Sequence, residues 1–174
     1  MLFLNGMKAK VKVLAWCVFA LIAMSTSCSR EVCDGEIPEL GYSTATLIVQ
    51  SDTTLFDTLL LTFTFKDCDG DIGLANSDTT GDFNPDSYYH YNFYLDYYEF
   101  RDTGFVKVDF PGGGYRYRIP VLSAEGRYPD IEGEIDVKVA MEPIIGDTFR
   151  FEAVLFDRAL NSSNSVTTPD YLKP

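Results

Sequence analysis

Residues 57–66 read Asp-Thr-Leu-Leu-Leu-Thr-Phe-Thr-Phe-Lys. Leu59, Leu61, Phe63 and Phe65 fall on one side of an extended chain, and Leu60, Thr62, Thr64 and Lys66 on the other. Alternation of this kind belongs to strands, so the stretch predicts a half-buried strand with one core face. Working outward, 42–50 is rich in Thr and aliphatic residues. The aromatic stretch 88–100 predicts a long strand that turns at Asp102, Thr103 and Gly104 and returns over 105–110 as a hairpin. Pro111, Gly112, Gly113 and Gly114 break the chain. Residues 115–122 set Tyr115, Tyr117 and Ile119 against Arg116 and Arg118. Residues 134–141 set Ile135, Val137, Val139 and Met141 against Glu134, Asp136 and Lys138. Two more strands are expected over 148–156 and 165–168. No 3.6-residue period is sustained after residue 28. The expected fold is all-β: an antiparallel Ig-like or fibronectin-like β-sandwich of seven to eight strands over 42–174.

Upstream, the chain has the form of an export signal. Lys8, Lys10 and Lys12 precede an unbroken apolar stretch over 13–24, followed by Ser25, Thr26, Ser27 and Cys28. A bilayer span needs about 20 apolar residues; this stretch has the length of a signal-peptide core. A Cys directly after small residues is the site at which a lipoprotein signal peptidase cleaves, after the thiol has taken up its lipid. The expected organisation is therefore a cleaved signal peptide over 1–27, a covalent lipid on Cys28 with a polar tether over 28–41, and the β-sandwich from 42 onward. Cys33 and Cys68 are left over. In an exported, oxidising compartment such a pair is expected to form a disulfide; two unpaired thiols are the alternative.

Loss of residues 1–27 removes three Lys and no acid. The remaining 11 Lys and Arg face 26 Asp and Glu, a formal charge of −15. Such a surface argues against nucleic acid as a partner and against a polybasic hold on anionic lipid. Membrane attachment is expected through the lipid, where two or more acyl chains give stable anchoring.

Three features could carry chemistry. Asp67, Asp69 and Asp71 alternate around Gly70, an arrangement that offers oxygen ligands to a hard cation such as Ca²⁺ from one tight turn. It is not an EF-hand, because the Gly falls between the second and third Asp. In an Ig-like sandwich the loop after 57–66 and the loop after 148–156 emerge at one end, which would bring Asp157 and Asn161 to the same site. The alternative is an acidic turn closed by Asp side chains on backbone N–H groups, with Arg158 as counter-charge. The second feature is the run 88–98, which holds six of the chain's 11 tyrosines. Strand alternation puts Tyr89, Tyr91, Phe93, Leu95 and Tyr97 in the core and Tyr88, Tyr94 and Tyr98 outside, where rings stack on a sugar or anchor a protein interface. The third is catalysis, which finds little support. His90 is the sole histidine, there is no nucleophile elbow, and nothing selects a carboxylate pair for glycoside hydrolysis. No enzymatic role is expected.

Two segments carry a resemblance. Residues 65–74, Phe-Lys-Asp-Cys-Asp-Gly-Asp-Ile-Gly-Leu, hold a D-x-D-G-D-I-G loop, and residues 157–169 hold a D-R-A-x-N-x-S-N-x-V-x-T-P pattern. Together with the Ser-rich approach to Cys28, they resemble lipoproteins of Bacteroidota-type bacteria with one Ig-like domain. The resemblance implies an outer-membrane lipoprotein on the periplasmic face or the cell surface. It would act as a binding or structural module toward a protein or glycan partner. A carbohydrate-binding accessory protein using Tyr88, Tyr94 and Tyr98, or a small carboxylate-dependent hydrolase, are the alternative expectations.

Overall fold

The computed structural model describes residues 33–50, 56–110, 113–122, 129–141, 144 and 146–173. The expected signal peptide and Cys28 lie outside the described residues. The described residues form nine strands: β1 (Glu39–Ile48), β2 (Thr58–Asp67), β3 (Phe93–Arg101), β4 (Gly104–Lys107), β5 (Tyr115–Tyr117), β6 (Ile131–Ala140), β7 (Thr148–Leu155), β8 (Val166–Thr167) and β9 (Tyr171–Leu172). One sheet has the order β1-β2-β6. The other has β4-β3-β7-β8, with β5 also on β3 and β9 also on β7. All pairings are antiparallel. This is the Greek-key order of an Ig-type sandwich, and the all-β expectation holds. The strand β9 was not foreseen.

Periodicity builds the core. Leu59, Leu61, Phe63 and Phe65 of β2 are buried, as are Ile135, Val137 and Val139 of β6. From the facing sheet come Phe93, Leu95 and Tyr97 of β3 and Phe149, Phe151, Ala153 and Leu155 of β7. The sheets meet edge-to-face at Phe63 and Phe93, with ring centroids 5.5 Å apart. Tyr97 packs on Phe151 at 5.6 Å. The described core residues all belong to the unit that begins at Cys33.

Two local readings differ from expectation. Residues 88–92 do not extend β3. Ser87 accepts a hydrogen bond from the Tyr89 N–H, and Tyr88–His90 forms a 3-10 turn. Tyr89 and Tyr91 therefore leave the core register and sit half-buried and exposed. The tether also ends sooner than expected. Cys33 is bonded to Cys68, with Cα atoms 5.3 Å apart across a sequence separation of 35, and Pro38 is already buried. β1 begins at Glu39 with Leu40 in the core.

Candidate functional site: the acidic end of the sandwich

β2 runs out at Asp67 into the D-x-D-G-D-I-G turn, and β7 runs out toward Asp157. A bridge between Ile72 and Asp157 joins the two loops. The topology thus places both at one end, as expected from the fold. The turn needs its glycines. Gly70 has φ +71°, and a Cβ there would lie 1.9 Å from the Pro129 carbonyl oxygen. Gly73 has φ +112°, and a Cβ there would lie 2.3 Å from the Pro120 carbonyl oxygen.

Within this turn Asp67, Asp69 and Asp71 each offer a carboxylate oxygen, and these oxygens lie within 4.8 Å of one another. Asp67 is fully buried. Its Oδ2 accepts the Asp71 N–H at 2.9 Å, while its Oδ1 is buried and has no hydrogen-bond donor among the described residues. Asp71 accepts the Ala159 N–H through Oδ2 at 3.1 Å, and its Oδ1 is likewise buried and without a donor among the described residues. Asp69 is exposed. Burial, with the Asp69 carboxylate beside it, pushes the Asp67 pKa up to about 6. Asp71 is raised by burial and by the charges of Asp157 and Asp69. Asp157 is raised by burial and by Asp69, against the hydrogen bonds from Asn161 that favour its ionised form. Repulsion among the four carboxylates is thus written into three of them.

Asp157 and Asn161 stand behind this trio. Asp157 is buried, and both its oxygens are taken: Oδ1 accepts the Asn161 backbone N–H and Oδ2 the Asn161 side-chain amide, each at 2.8 Å. The same Asn161 amide nitrogen donates to the Glu36 carbonyl at 3.1 Å. Asn161 therefore presents donors here and holds Asp157 in place. Nor does Arg158 neutralise the trio. Its guanidinium donates to Asp78 Oδ2 at 2.6 Å and to the Gly73 carbonyl at 3.3 Å. Among the described residues, Asp67, Asp69, Asp71 and Asp157 form no ion pair. The arrangement is three carboxylates on one turn, two buried oxygens without donors, and one exposed side.

The C-terminal pattern has a structural reading that the sequence did not give. Its polar side chains close the sandwich by hydrogen-bonding to backbone. The Ser163 hydroxyl accepts the Leu155 N–H at 3.0 Å, and the Thr168 hydroxyl accepts the Phe151 N–H at 3.0 Å. Asn164 copies a strand partner: its Oδ1 accepts the Leu40 N–H at 2.9 Å and its amide donates to the Leu40 carbonyl at 2.8 Å. Asn92, also unforeseen, is buried and accepts the Ile119 N–H at 2.6 Å. The only signal for it is a carboxamide amid aromatic residues, too common to single out.

The tyrosines separate. Tyr94 is buried; its hydroxyl donates to the Tyr88 carbonyl, and the Arg116 guanidinium lies 4.4 Å above its ring. Tyr88 is 60% exposed and stacks on Tyr94 with centroids 4.8 Å apart. Tyr98 is half-buried, and burial and its bond to Glu152 push its pKa up to about 12. One open ring backed by a second is present, with Tyr98 tied down farther along β3. His90 Nδ1 lies 3.0 Å from the Phe83 carbonyl, beside Arg118. Set against protein-family models, curated proteins and solved structures, the chain matches none.

Proposed function

We propose that the protein is an exported lipoprotein, held in the outer membrane by lipid on Cys28. Its β-sandwich would act there as a non-catalytic binding or structural module whose acidic end takes Ca²⁺. The observation that carries the metal reading is the pair of buried acceptors, Asp67 Oδ1 and Asp71 Oδ1, left without hydrogen-bond donors among the described residues. Arg158, the guanidinium next to Asp157 in sequence, is spent on Asp78. A buried carboxylate oxygen without a donor costs free energy, and a hard cation would offset that cost for both at once. Asp67, Asp69 and Asp71 would be the ligands; Asp157, held by Asn161, would add charge behind them. The lipid reading rests on the sequence from Lys8 to Cys28 and on the disulfide, which suits an exported chain. Titration calorimetry of Ca²⁺ into the chain from Cys28 onward, with Cys28→Ser, tests the metal. A saturable heat lost in Asp69→Asn is expected, and no heat at millimolar Ca²⁺ contradicts the reading. Globomycin treatment of the expressing cell tests the lipid. Accumulation of the unprocessed precursor is expected, and unchanged processing contradicts it.

A further inference from the structure

One edge of β3 is shared by two strands. β5 pairs with Phe93–Leu95 and β4 with Tyr98–Arg101. β4 ends at Lys107 and β5 begins at Tyr115, so the middle of β3 has a gap in its edge partner. A cleft of about 260 Å³ opens there. Phe93, Leu95 and Tyr97 are core residues, so Tyr94, Asp96 and Tyr98 point to the other side of the sheet. Register sets Arg116 opposite Tyr94 and Lys107 opposite Tyr98, which brings both cations to that side. There Asp96 Oδ1 accepts from Arg116 and Oδ2 from Lys107, each at 2.6 Å.

The cleft is balanced in charge. Its charged lining is Asp96, Asp109, Lys107 and Arg116, two acids against two bases. A cation would face Lys107 and Arg116. An anion would find no net attraction and would approach a chain of net charge −12. A neutral, hydroxyl-rich ligand meets neither obstacle. Its hydroxyls accept from Lys107 Nζ, which carries three donors, and donate to the Asp96 and Asp109 carboxylates, which only accept. Val108 and Phe110, both half-buried, supply apolar lining, the usual complement to a few placed polar groups. An open ring adjoins this wall. The Arg116 guanidinium lies 4.4 Å from the Tyr94 ring centroid, and Tyr88 stacks on that same Tyr94 with its own ring largely exposed. Such a ring offers an apolar face to the C–H groups of a pyranose.

We infer that the cleft between β4 and β5 is a saccharide site. It takes one unit of a neutral oligosaccharide between Lys107, Asp96 and Asp109, and the adjoining unit stacks on Tyr88. The site shares no residue with the acidic turn and does not depend on the Ca²⁺ reading. The full-length chain, in a zwitterionic detergent and in EDTA, is titrated by calorimetry with maltotetraose, cellotetraose, xylotetraose and mannotetraose. Tetragalacturonate is the anionic counterpart. We expect saturable binding, millimolar or tighter, of at least one neutral tetrasaccharide and none of tetragalacturonate. Lys107→Ala, Asp109→Ala and Tyr88→Ala, with melting as the folding control for each, should each weaken that binding at least tenfold. No saturable heat from any neutral sugar overturns the inference and leaves the Ca²⁺ reading standing. Equal binding of tetragalacturonate overturns a neutral sugar as the ligand. Binding that survives all three substitutions unchanged overturns the cleft as the site.

Discussion

Gly70 and Asp67 set the terms of the acidic turn. At Gly70 a side chain would need a left-handed backbone and would run into the Pro129 carbonyl. Gly70→Ala is expected to destabilise the domain by more than the ~1 kcal/mol of a strain-free exchange, read as a fall of several degrees in Tm. Asp67 carries a pH signature. Its folded pKa is raised to about 6 from 3.8, so the folded state holds the proton more tightly than the unfolded chain. Its contribution to stability is fully present below the unfolded value and is lost as pH rises through about 6. Asp71 and Asp157 are raised and act in the same direction. Asp96, held low by its bonds to Lys107 and Arg116 against its burial, acts in the opposite direction and only at lower pH. In EDTA, stability is expected to fall between pH 4.5 and 7, by on the order of 2 kcal/mol from Asp67, and is read as a lower Tm. Asp67→Asn should flatten that slope, whereas a Tm that rises over this interval contradicts the assignment. The trio was legible in the sequence because alternate Asp residues about a Gly specify a turn by themselves. The roles of Asn161 and Arg158 were not, because a carboxamide both donates and accepts and a long guanidinium reaches several acids. Only the folded positions of Asp157 and Asp78 decide them.

At the scale of elements, the two-residue period located β2 and β6, although β6 begins at Ile131, three residues before its expected start at 134. The period failed at 88–92 because a Ser87 side chain competes for the backbone and turns the chain before β3 begins, a local effect invisible to an aromatic count. It also overstated β5, where only Tyr115–Tyr117 pairs, against Phe93, Tyr94 and Leu95. Two predictions belong here. Cys33→Ser with Cys68→Ser should cost roughly 3–4 kcal/mol in chemical denaturation, since the bond closes a loop of about 35 residues; a loss under 1 kcal/mol contradicts its structural role. Asn164→Ala leaves the Leu40 N–H and carbonyl without their side-chain partner and should cost about 1–3 kcal/mol. Hydrogen exchange at Leu40 should rise in that variant well before exchange in β2 does.

The unit from Cys33 onward is a sandwich with two unlike ends. The end beside Cys33 gathers four carboxylates; the other carries the hairpin residues Leu47, Ile48, Val49 and Phe56, all exposed. The sequence made the acidity plain, and the expected Cys33–Cys68 bond, present in the fold, already tied the segment at Cys33 to the acidic turn. The central claim is that three carboxylates on one turn hold a cation. Its most direct test is thermal unfolding of the chain from residue 28, Cys28→Ser, at pH 7.5 in EDTA and in millimolar Ca²⁺. Saturation at 100 times Kd adds about 2.7 kcal/mol, so we predict a rise in Tm of about 5–10 °C that Asp69→Asn abolishes. Equal melting in EDTA and Ca²⁺, or a rise that survives Asp69→Asn unchanged, would contradict the claim.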